Sequence, residues 1–123
     1  MRKSVALAVA VLALAGCGAP EKDAEYQSLN DFAAAYEDAL SQDGVVECRR
    51  VDTDLSDAGW GQTQCGQRTV LMLFTSDEKR DEIFAKNPLE VGERWIQGPN
   101  WALVAPQYEA EAAREALGGS FRD

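Results

Sequence analysis

Five consecutive apolar residues, Val70-Leu-Met-Leu-Phe74, constrain the fold of this chain more than any other feature. A strand that is wet on one face alternates apolar with polar residues, and this run does not. It suits a strand buried on both faces, at the centre of a sheet. The other elements have to arrange themselves around it.

Upstream, Ser28-Leu-Asn-Asp31 is a capping signal, and Leu29, Phe32, Ala33, Tyr36 and Leu40 follow at helical spacing. That helix should stop before Gly44, which can take a left-handed C-terminal conformation. Val45–Val51 is short and β-branched at both ends, and predicts a strand carrying Cys48. Asp52 to Gln64 is rich in Asp, Gly and Ser and is expected to be the least structured segment. After the central run, Ser76 with Asp77 and Glu78 opens a helix with acidic residues where the helix dipole favours them. Ile83 and Phe84 supply its apolar side, and Asn87-Pro88 ends it.

Leu89–Gln97 predicts a third strand, Gly98-Pro99-Asn100 a turn, and Trp101–Ala105 a fourth strand paired with the third. Pro106 fits the first turn of a last helix, with Tyr108, Ala112, Ala113, Ala116 and Leu117 on one side and Gly118-Gly119 as its stop. The order is α-β-β-α-β-β-α. It predicts an α+β two-layer sandwich: an antiparallel sheet of about four strands with helices on one face. One globular domain over 28–119 is expected, with 120–123 as a polar tail.

The N-terminus has a different character. Met1-Arg2-Lys3 is followed by eleven unbroken apolar residues, Val5–Ala15, too few for the roughly 20 that a membrane-spanning helix needs. Overlapping the end of that run, Leu14-Ala15-Gly16-Cys17 resembles the lipobox of bacterial lipoproteins at every position. The resemblance implies a signal peptide at 1–16, diacylglycerol on the Cys17 thiol and cleavage between Gly16 and Cys17. It also implies acylation at the new amine. Two or three acyl chains hold a small domain far more firmly than one. Gly18, rather than Asp, follows the cysteine, so the inner-membrane retention signal of such proteins is not seen. Residues 17–27 would be the lipidated end and a flexible polar tether. The protein would then sit on the extracytoplasmic face of the cell membrane.

The mature part resembles, loosely, small lipoproteins of actinobacteria, over roughly Val45 to Gly118. The likeness lies in a cysteine pair before an apolar strand, the Phe74-Thr75-Ser76 step into a helix, and the Gly98-Pro99-Asn100-Trp101 turn. It implies a compact secreted domain and brings no active site with it.

With Cys17 assigned to the anchor, Cys48 and Cys65 remain. An exported protein usually joins such a pair, and the sixteen residues between them make a loop worth roughly 3 kcal/mol. Neither lies in a C-x-x-C spacing, which argues against thioredoxin-like chemistry.

The net charge of −9 repels phosphate backbones, and removal of Arg2 and Lys3 with the leader makes the mature part more acidic still. Nucleic acid is therefore not an expected partner. The chain has no histidine, which excludes Ser-His-Asp and Cys-His mechanisms and histidine-held zinc. Carboxylate-based catalysis is left, though no pair stands out among the many acidic residues.

Asp52-Thr-Asp54-Leu-Ser56-Asp57 begins like an EF-hand loop, but Asp57 stands where glycine is needed and Thr63 where glutamate is needed. No metal or cofactor is expected. Of the three tryptophans, Trp95 and Trp101 flank the hairpin turn and would most simply pack beneath a helix. Trp60, in a loop, is the more exposed. Trp60 and Trp101 are the candidate contacts for an envelope protein or a glycan. The function expected is thus a non-catalytic binding or accessory domain, acting through loop 52–64 and the 97–101 turn. The alternative is a carboxylate enzyme acting on cell-wall polymer.

Overall fold

A computed structural model describes residues 21–41 and 46–123. The leader, Gly16, Cys17 and the beginning of the expected strand Val45–Val51 lie outside the described residues.

Helix α1 (Leu29–Leu40) starts where its cap predicts, with the Ser28 side chain accepting from the Asp31 N–H. It buries the five residues named from their spacing. A single turn, α2 (Leu55–Ala58), follows, capped by Asp54. Strands β1 (Trp60–Cys65) and β2 (Thr69–Phe74) form a hairpin, and α3 (Asp77–Lys86) crosses to β3 (Glu93–Gln97). Strand β4 (Trp101–Pro106), helix α4 (Gln107–Leu117) and a short β5 (Ser120–Arg122) complete the chain.

The five strands run in the order β1-β2-β4-β3-β5, every pair antiparallel. The α+β class is as expected, with one strand more than the sequence suggests. The central run occupies β2, between β1 and β4. Its alternate residues face opposite ways, and the fold covers both sides. Leu71 and Leu73 join Phe32, Tyr36, Ile96, Trp101, Leu103 and Leu117 in a core beneath α1 and α4. Met72 and Phe74 join Ile83, Trp95 and Ala102 in a second core beneath α3. The expectation of helices on one face is corrected accordingly. A strand apolar on both faces needs burial on both, and α3 supplies it on the far side.

Further boundaries move. The strand expected over Leu89–Gln97 begins only at Glu93. Val45–Val51 does not form a strand over its described part; only Cys48 bridges to Cys65, flanked by Arg49 N–H to Gln64 O and Gly66 N–H to Glu47 O. Trp60–Gln64, expected to be irregular, is strand β1. The polar tail contains β5, which pairs with β3. In α4 the buried stripe is Ala110, Ala113 and Leu117, so Tyr108 is rotated outward and is 74% exposed. Among the described residues no helix is long and apolar enough to cross a membrane.

Candidate functional site

The segment before α1 is bound to the domain rather than detached from it. The Asp23 N–H donates to the Leu117 carbonyl at 2.8 Å, and the Asp23 carboxylate accepts from the Gly119 N–H at 2.7 Å. The Trp101 indole N–H donates to the Ala24 carbonyl at 2.9 Å. Asn100 grips the Tyr26 backbone on both sides: its Oδ1 accepts from the Tyr26 N–H at 3.1 Å and its Nδ2 donates to the Tyr26 carbonyl at 2.9 Å. The Tyr26 ring stacks on Phe32 at 4.7 Å between centroids. Asp23–Tyr26 is therefore a strap across the end of the sheet, and the domain begins at Asp23 instead of Ser28.

Two glycines make room for it. A Cβ on Gly118 would come within 2.7 Å of the Asp23 backbone nitrogen, and one on Gly98 would collide with the Trp101 ring. Gly118 also has φ +88°, which disfavours any side chain. The Gly118-Gly119 pair does more than stop a helix; it is the seat of the strap.

Beside the strap lies an open cleft of about 490 Å³. Glu25 lines it from the strap, Phe74 and Thr75 from the end of β2, Ser76, Asp77 and Arg80 from the start of α3, and Pro99 and Asn100 from the hairpin turn. Chain connectivity explains the convergence. The Phe74 N–H donates to the Asn100 carbonyl, and the Thr75 N–H and hydroxyl both donate to the Gly59 carbonyl. Trp60, next in sequence, stacks on Phe74 at 6.2 Å. Arg80 is held by Asp77 at 3.3 Å and Asp81 at 3.2 Å, which leaves its side chain only 16% exposed. The cleft thus offers carboxylates, one guanidinium, hydroxyls and an amide around an aromatic residue. That set can hydrogen-bond a polar ligand and contains no nucleophile paired with a base.

A second depression of about 200 Å³ lies on the α3 face of the sheet, where Val70, Met72, Trp95 and Val104 meet Leu89. It is small, and Gln62, Asn87, Glu90 and Glu93 also line it.

The two candidate tryptophans part company. Trp60 is half-buried at the sheet's edge, close to the cleft. Trp101 is 0% exposed, packed on Phe32 and covered by the strap, so it cannot be a contact residue. This corrects its assignment as a binding residue. Trp95 is also buried, edge-on to Phe84 at 4.8 Å.

Cys48 and Cys65 are joined in a disulfide. Asp54, from the calcium-like stretch, spends its carboxylate on the Ser56 N–H and hydroxyl, which hold its pKa below the usual range. Among the described residues no three His, Cys, Asp or Glu side chains are placed to hold a metal ion.

Among the described residues four carboxylates depart from their ordinary pKa values, all downward. Glu37 is lowered by Arg50, which binds it through two nitrogens, and by the Cys48 N–H. Arg122 and Arg80 lower Asp81, and Lys86 and Lys79 lower Glu82.

Glu25 and Arg80 carry no signal in the sequence that marks them as cleft residues, whereas Asn100 lies in the 97–101 turn expected to bind. Glu25 reaches the cleft through contacts between residues more than seventy positions apart. Comparison of the chain with protein families, with curated proteins and with solved structures finds no match.

Proposed function

We propose that this chain is a cell-envelope lipoprotein, anchored through lipid on Cys17 at the extracytoplasmic face of the membrane, whose domain binds another envelope component without catalysis. The observation that carries the anchor is Leu14-Ala15-Gly16-Cys17 at the end of a run of eleven apolar residues. The cleft beside Trp60 supports the binding role. Its lining includes Pro99 and Asn100 of the 97–101 turn, and its Phe74 stacks on Trp60 from the 52–64 segment.

The partner would be an envelope protein or a glycan, met at the cleft and Trp60.

In-cell crosslinking from a photoreactive residue at position 60, followed by mass spectrometry, tests this. A reproducible adduct that weakens in Asp77→Arg is expected. Absence of any adduct, with purified protein cleaving wall glycan, would show the reading to be wrong. One observation favours that second reading: Glu25 and Asp77 both line the cleft. As a carboxylate enzyme, the protein would lose glycan cleavage in Glu25→Gln and in Asp77→Asn.

A further inference from the structure

The strap fixes where the chain leaves the domain. Asp23 is pinned to Leu117 and Gly119, Ala24 to Trp101 and Tyr26 to Asn100, all at the end of the sheet that carries the 98–100 turn and the start of α3. The opposite end carries the Gly66-Gln67 turn and the Cys48–Cys65 disulfide. Six residue steps separate Cys17 from Asp23, and a fully extended chain covers at most about 3.6 Å per step, or about 22 Å in all. Without the strap, the reach to Ser28 would be about 40 Å by the same rule.

The six-residue strands β1, β2 and β4 are each about 20 Å long before the turns at either end are added. A tether of about 22 Å is too short to let the domain turn its far end to the bilayer.

We propose that the strap-bearing end is the membrane-facing surface of the protein, and that the bilayer holding the Cys17 lipid is its partner. The disulfide end points away from the membrane. The cleft, lined by Glu25 of the strap, sits at the membrane side, so what binds there lies within reach of the bilayer surface. The inference rests on the proposed lipidation of Cys17.

The lipidated full-length protein, purified from membranes, is placed in phosphatidylcholine vesicles containing a nickel-chelating lipid. Nitroxide labels are carried at Glu78→Cys, in the first turn of α3, or at Gln67→Cys, in the distal turn; both positions are exposed. Nickel is expected to speed relaxation of the label at 78 several-fold more than that at 67. An insert of about ten Gly and Ser residues between Pro20 and Glu21 behaves as a flexible coil and touches no strap contact. It should bring the two rates together. Equal or reversed rates in protein of natural length, with the lipid on Cys17 verified by mass, would overturn the orientation. A difference that survives the insert would also overturn it, because the strap would not be its cause. An unmodified Cys17 would instead overturn the proposed anchoring.

Discussion

The side chain of Asn100 holds the backbone of Tyr26 by both its N–H and its carbonyl, across 74 residues of sequence. A side-chain amide has one acceptor and one donor group spaced like a peptide unit, so it can take the place of a neighbouring strand. This clasp, with the Trp101–Ala24 bond beside it, turns a polar segment into part of the domain. Asn100→Ala should cost about 1–3 kcal/mol, since two partly buried hydrogen bonds are lost at about 0.5–1.5 kcal/mol each. Urea unfolding measures the loss, and amide exchange at Asp23 should accelerate.

Gly98 tests the same corner by overpacking. A methyl group there meets the Trp101 ring, and Trp101 cannot retreat because Phe32 and the strap enclose it. Gly98→Ala is expected to destabilise by about 1–3 kcal/mol, with altered tryptophan fluorescence.

The disulfide ties the chain after α1 to the edge strand β1. Replacing Cys48 and Cys65 together by alanine should cost about 3 kcal/mol on the loop-closure argument. For a domain this size each kcal/mol lowers Tm by roughly 4–8 °C, so calorimetry resolves the effect easily.

At alkaline pH two tyrosines matter. Tyr26 is pushed up from 10.0 to about 12 by burial and by Glu21 nearby. Tyr36 is also raised from 10.0 to about 12, by burial above all; the Thr69 hydroxyl beside it opposes the rise and the Glu109 charge adds to it. The unfolded chain ionises these phenols first, so their contribution is complete below pH 10 and falls away as pH rises towards about 12. Phenolate absorbance should show ionisation of both coinciding with loss of structure. Tyr36→Phe should flatten the alkaline slope of the urea midpoint.

At acid pH the sign reverses. Glu37 is held below the usual carboxylate range by Arg50 and by the Cys48 N–H. Its contribution is present above the ordinary value and is lost as pH falls through the lowered one. Glu37→Gln should therefore show a shallower fall of stability with acid than the natural protein, read from urea midpoints across the carboxylate range.

Much of this arrangement was legible in the sequence, for physical reasons that differ by element. Ser28 and Ser76 cap the helices they announce, because capping is local chemistry. The Val70–Phe74 run signalled burial on both faces, and α3 meets that demand opposite α1 and α4. Strand β1 was hidden because Gln62 and Gln64 point outward from it while its buried side carries only Gly61, Thr63 and Cys65, none of them strongly apolar in a sequence pattern. Strand β5 has three residues, too few for any period to appear. The strap and cleft were hidden for another reason: Asp23 and Tyr26 make their backbone contacts with residues 74 to 96 positions away, and Glu25 is carried to the cleft between them.

The most direct test of the account is the mass of the N-terminal peptide from protein isolated from membranes. A peptide beginning at Cys17, carrying diacylglycerol and further acylation, with residues 1–16 gone, is expected. A peptide that retains residues 1–16, or an unmodified Cys17, would contradict it.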